Sequence, residues 1–146
     1  MMRIDFYHLT AAPLEKVLPS ICEKLLAAGE RLLVVAEEDR VPALDRQLWS
    51  YAPESFLPHA QASGTGDELQ PILISSDVAP GAGIANVALA DGKWRQEALA
   101  FERIFYFFDS ASIEDARASW RTLKDRDGAE LRYWKQDPNG RWVEGP

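Results

Sequence analysis

Cysteine is nearly absent. Cys22 stands alone in 146 residues, so no disulfide closes within the chain and no multi-thiolate zinc site forms. No charged-then-apolar leader opens the sequence, and together these absences suit a reducing cytoplasm. Histidine is scarce too: His8 and His59 lie too far apart to form a recognisable ligand pair, and neither is flanked by Ser, Cys or Glu in motif spacing. The longest apolar runs, such as Leu32–Ala36 and Ile104–Phe108, fall far short of the roughly 20 residues that span a bilayer, which excludes membrane insertion. Positive charge is short as well, with 16 Lys and Arg against 23 Asp and Glu and a net charge of −7. A chain that holds duplex DNA directly needs clustered cations to neutralise phosphates, so any nucleic-acid role here is indirect.

What is present fits one soluble domain over residues 1–146, with 47% hydrophobic residues to fill a single core. The charge is unevenly spread. Residues 1–92 carry six cations and 13 acids, whereas residues 93–146 carry ten of each. The cations are therefore concentrated in the last third.

Apolar periodicity suggests alternating elements. Arg3–Leu9 reads as a strand, and Leu14, Val17, Leu18, Ile21, Cys22, Leu25 and Leu26 then follow helical spacing up to Gly29. Pro19 falls inside that pattern and either kinks the helix or starts a fresh one. Arg31–Ala36 is an almost wholly apolar run of the kind that fills a parallel sheet covered on both faces, which makes the first three elements a βαβ unit. A helix from about Arg40 to Trp49 follows, then Ala52–His59, which its two prolines keep extended, and a polar loop over Gln61–Gln70. Pro71–Ser75, Ile84–Leu89 and Arg103–Phe108 read as strands, with a helix near Gln96–Phe101. Ile113–Lys124 reads as a helix entered through Ser112 and Asp115 in capping-box spacing, and Ala129–Lys135 as a last strand. The expected fold is α/β: a three-layer sandwich with a mostly parallel central sheet, Rossmann-like but lacking a phosphate-binding loop.

That last absence is specific. The turn after the first strand, Leu9-Thr-Ala-Ala-Pro13, has neither glycines nor a following Lys-Ser/Thr pair, and the one glycine cluster, Pro80-Gly-Ala-Gly83, precedes a strand and reads as a turn. No cofactor is expected. Carboxylates do stand at strand ends: Glu37, Glu38 and Asp39, then Asp77, then Asp109. If Glu38, Asp77 and Asp109 converged on magnesium, the chain would be a small phosphoesterase. Asp39 and Asp109 are equally placed to cap the helices that follow them. Cys22 lies on an apolar stripe and reads as a core residue.

Two aromatic sets remain. On the helix from Ile113, the residues Ile113, Ala116, Trp120 and Leu123 share one side, and Arg117, Arg121 and Lys124 share the adjoining side at i, i+4, i+7. An indole bordered by three cations suits an acidic peptide with an apolar or aromatic terminus; a core Trp beside a solvated basic face has the same spacing. Single-stranded DNA would compete for the patch through its bases, but Glu114, Asp115, Asp125 and Asp127 oppose a polyanion. The second set is Trp49 with Phe56, Pro58 and His59, either an interface anchor or a cover for the core edge.

Several stretches resemble one family. Phe6-Tyr7, the Arg31–Glu38 strand ending in Glu38-Asp39, Leu44-Asp45 with Leu48-Trp49, and above all Glu54-Ser-Phe-x-Pro-His59 are similar to the chi subunit of bacterial DNA polymerase III holoenzyme. Asp91-Gly92, Phe101-Glu102-Arg103 and Ala116-Arg117 with Trp120-Arg121 look similar as well. The resemblance implies a non-enzymatic adaptor of the clamp loader. It implies that Arg117, Trp120 and Arg121, with Lys124 added from helical spacing, grip the acidic C-terminal tail of single-stranded DNA-binding protein, which ends in phenylalanine. It also implies that the surface of Trp49, Phe56, Pro58 and His59 docks the psi subunit, or another clamp-loader component, where one exists. Asp125–Pro146 and Gln61–Gln70 depart from the family pattern.

Overall fold

Four consecutive residues of β2 (Leu32–Val35) are buried, as are five of the six in β6 (Arg103–Phe108). Strands that bury both faces belong in the middle of a sheet with layers above and below, and polar alternation would cost them desolvation. The computed structural model describes residues 2–10, 12–50, 59–61, 71–78 and 84–145. In chain order its elements are β1 (Met2–His8), α1 (Leu14–Ala27), β2, α2 (Val41–Ser50), β3 (His59–Gln61), β4 (Ile72–Ser75), β5 (Asn86–Leu89), β6, α3 (Ile113–Leu123), β7 (Ala129–Gln136) and β8 (Trp142–Glu144). Short 3-10 turns at Glu38–Arg40 and Gln96–Ala100 precede α2 and β6. The extended reading of residues 52–58, the loop reading of residues 62–70 and the glycine cluster at 80–83 lie outside the described residues.

Among the described residues the strands form one eight-stranded sheet in the order β3-β4-β2-β5-β6-β1-β7-β8. Every pairing is parallel except the last, β7 with β8. One face carries Leu32, Val34, Phe105 and Phe107 under α1 and α2; the other carries Leu33, Val35, Ile4 and Phe6 under Ala98, Ala116 and Leu123. The result is a three-layer α/β sandwich with a mostly parallel sheet.

Four sequence expectations need correction. β1 and β2 are not neighbours, because β5 and β6, apolar on both faces, take the places between them. Gln96–Ala100 is a 3-10 turn, not an α-helix. Ser112 does not cap α3: the Asp109 carboxylate accepts the Ala111 and Ser112 N–H groups at 3.0 and 3.3 Å instead, and the Ser112 hydroxyl turns back to Asp109. The strand at Ala129 is not the last, since β8 pairs back onto it through Asp137-Pro-Asn-Gly140. By contrast, α1 runs unbroken through the buried Pro19 and ends on Gly29 at φ +73°, where the Glu30 N–H reaches the Leu25 carbonyl at 2.9 Å.

Candidate functional site

α3 is built to hold its register. Neither proline nor glycine interrupts Ile113–Leu123, acids Glu114 and Asp115 occupy the first turn, and Arg121 lies in the last, each favoured by the helix dipole. Ala116 and Leu123 are buried against the sheet while Arg117, Arg121 and Lys124 face solvent, so the stripe and the basic face both stand as the spacing predicts. Trp120 lies between them, half-buried. Its ring meets Phe6 edge-on at 5.1 Å and Tyr133 at 5.9 Å, and the residue keeps part of its surface exposed. It is a core contact and a surface contact at once. Arg117 pairs with Glu114 at 3.0 Å, but both are exposed, at 57% and 79%, and water screens such a pair to little net value. Arg121 and Lys124 have no ion-pair partner among the described residues.

Two residues outside the sequence-derived set complete this surface. His8, at the end of β1, stacks on Phe108 with centroids 4.9 Å apart, and its Nδ1 lies 3.2 Å from the Tyr133 hydroxyl of β7. Burial lowers the His8 pKa, as do the charges of Arg117 and then Lys135, while Asp109 acts in the opposite sense. Burial raises the Tyr133 pKa, and Arg117 opposes that rise. Arg117 thus lies within electrostatic reach of both rings. Non-local pairing makes this cluster: His8 aligns with Lys135, and β1 lies between β6 and β7. The one local signal was the alternation of Phe6 and His8, which gives them the same face.

The second set falls at the other end. Trp49 is in α2 and His59 opens β3, two elements that pack together; Phe56 and Pro58 lie outside the described residues. Between β3 and β7 stand five strands, so six inter-strand steps separate the two regions by about 29 Å. α2 and α3 also cover opposite faces of the sheet.

At the carboxyl ends of β1, β5 and β6 a cleft of about 1010 Å³ opens where α/β folds bind nucleotides. Of its acids, the Asp91 side chain is buried and held by the protein itself, while Glu15, Asp109, Glu114 and Asp115 are exposed. Asp91 accepts the Glu37 N–H at 2.8 Å and takes Arg95 in two hydrogen bonds of 2.8 and 2.7 Å, while Lys93 pairs with Glu37. Asp109 holds the entry to α3. Among the described residues no three His, Cys, Asp or Glu side chains are grouped as a metal site requires, so Glu38, Asp77 and Asp109 do not converge and the phosphoesterase reading loses its basis. Asp39 lies inside the first turn of the 3-10 segment, whose N-cap position is taken by Glu37. No helix among the described residues is long and apolar enough to cross a membrane.

A mostly parallel α/β sheet between two helical layers, with a cleft at its strand ends and no grouped metal ligands among the described residues, defines a Rossmann-like module. Sequence comparison narrows this: the profile of the DNA polymerase III chi subunit, HolC, matches residues 1–131, and the chain belongs to that family, a non-catalytic accessory subunit of the polymerase III holoenzyme. The match ends inside β7, before Tyr133 and all of β8. No curated protein matches the chain. Among solved structures it resembles a chain in the S. cerevisiae complex of a Dbp5 variant bound to Nup159, a Gle1 variant, IP6 and ADP, with a TM-score of 0.60 and 15% identity. The likeness covers 94% of this chain and 42% of that one, and at this identity it is a likeness of fold alone.

Proposed function

We propose that the chain is a single-domain replisome adaptor of the cytoplasm that binds the acidic C-terminal tail of single-stranded DNA-binding protein and links it to the clamp loader. The observation that carries this reading is the α3 surface, where Arg117, Arg121 and Lys124 line up beside a partly exposed Trp120. The tail's aspartates and terminal carboxylate pair with the cations, and its terminal phenylalanine packs against the indole. Membership of the chi family supports the assignment. The second contact is assigned to Trp49, Phe56, Pro58 and His59, docking psi or another clamp-loader component. The roughly 29 Å between β3 and β7 lets both partners bind together.

A short tail peptide binds with micromolar or weaker affinity, and binding weakens with salt because exposed charge pairs are screened. Calorimetry with a tail peptide tests the site: Arg117→Ala and Arg121→Ala each weaken binding about tenfold, the worth of one charge-assisted hydrogen bond at a wet surface. Unchanged affinity in both variants removes the site. Full-length single-stranded DNA-binding protein should be retained in a pull-down and lost when its last residues are deleted.

A further inference from the structure

His8 is a polar group that the family resemblance leaves without a role. Its ring is held on two sides, flat against Phe108 at 4.9 Å and edge-on to Tyr133 at 6.3 Å. Nδ1 is engaged by the Tyr133 hydroxyl at 3.2 Å, whereas Nε2 has no hydrogen-bond partner among the described residues. With the phenol donating to Nδ1, the neutral imidazole carries its proton on Nε2 and presents an unused donor. The charged groups that act on the ring are Arg117 from α3, Lys135 from β7 and Asp109 from the turn after β6. The two cations and the burial of the ring disfavour imidazolium in the free protein, and a carboxylate arriving beside Arg117 would offset all three effects.

We infer that His8 is a second carboxylate ligand of the Arg117 site, donating from Nε2 to the acidic peptide and drawing a fraction of a proton from solvent as that peptide docks. The added proton goes to Nδ1, whose hydrogen bond with Tyr133 reverses so that the imidazolium donates and the phenol oxygen accepts. Nothing else in the ring contacts has to change. Tyr133 is the positioning residue: it fixes which nitrogen faces the ligand and accommodates both protonation states. The inference rests on the reading that an acidic peptide docks along α3.

The test is calorimetry of the whole chain with an N-acetylated acidic peptide ending in phenylalanine, at pH 6 and pH 8, each in two buffers of different ionisation enthalpy. The peptide's carboxylates stay ionised over this range and acetylation removes its amine, so proton uptake reports on the protein. Expected are uptake of a fraction of a proton near pH 7 and affinity up to about tenfold higher at pH 6, the gain for a tenfold rise in the imidazole's proton affinity. His8→Gln keeps a donor but cannot titrate; it should bind as wild type does at pH 8 within about twofold and lose the gain at pH 6. Tyr133→Phe should shrink the pH response while leaving Arg117-dependent binding in place. Arg117-dependent binding with no proton uptake by the wild-type chain overturns this inference alone, as does a pH response that survives His8→Gln. No binding at either pH overturns the docking reading and this inference together.

Discussion

Removing the carboxylate of Asp5 should loosen the strand that carries Tyr133. Asp5 is fully buried in β1, between β6 and β7. The Trp134 indole N–H of β7 donates to Oδ1 at 2.9 Å, and Arg3 Nη2 donates to the same oxygen at 3.2 Å. Oδ2 lies 3.1 Å from Arg3 Nε and 3.5 Å from Arg103 Nε, without the alignment of a hydrogen bond to either. Arg103 in turn lies over the Phe105 ring, 4.4 Å from its centroid. Asp5→Ala strands the Trp134 N–H, a charge-assisted bond worth about 1.5–3 kcal/mol. The two guanidinium pairs, each with its arginine about a third exposed, add no more than about 1 kcal/mol together. The sum, about 2–4 kcal/mol, lowers Tm by about 7–13 °C in a chain of this length. Asp5→Asn retains an acceptor for Trp134 and should lose less than half as much. Calorimetric melts decide it: an alanine variant within 2 °C of wild type, or equal losses for Ala and Asn, refutes the reasoning.

Three further outcomes follow from single contacts. Gly92 has φ +79°, and a Cβ there would lie 2.5 Å from Ser112 Oγ, so Gly92→Ala should cost about 2 kcal/mol in urea unfolding; a loss under about 0.5 kcal/mol would contradict the packing. Cys22 is fully buried and burial pushes its thiol up to about 12, so an alkylating reagent should leave the native protein unlabelled and modify it fully in denaturant. The His8 pKa is lowered from the ordinary 6.5 by burial first, then by Arg117 and Lys135. The unfolded chain therefore binds that proton more readily, and the stability from the neutral ring, present above pH 6.5, is lost as pH falls through that value. His8→Gln should lose less Tm between pH 8 and pH 5 than wild type, and parallel curves would contradict it.

The layers were legible because burial on two faces leaves apolar runs that need no partner to be recognised: β2, β4 and β6 stand within a residue of the spans that composition suggests. α3 was legible because its apolar and basic stripes keep helical spacing. Strand order was not, since parallel pairing depends on contacts between distant segments and no residue in β1 announces that β6 and β7 will flank it. For the same reason the candidate site was read only from its helical half. Arg117 and Trp120 belong to one periodic element, whereas His8 and Tyr133 meet only when β1 pairs with β7. The β7–β8 hairpin had its signal in Asn139-Gly140 between aromatic residues, and treating the last segment as divergent hid it. The Ser112 cap failed because Asp109, three residues earlier, carries a charge and satisfies two N–H groups, where a hydroxyl would serve one.

Among the described residues the two outermost strands, β3 and β8, are three residues each. An open sheet of eight strands would otherwise present two long rows of unpaired amides and carbonyls, each a template on which another chain could nucleate an ordered aggregate. Short margins leave an intruding strand too few hydrogen bonds to repay the entropy of its alignment. A subunit that spends its life beside many other polypeptides in a crowded assembly is thereby kept from zipping onto them through its backbone, and the partners it does hold must be chosen by side chains.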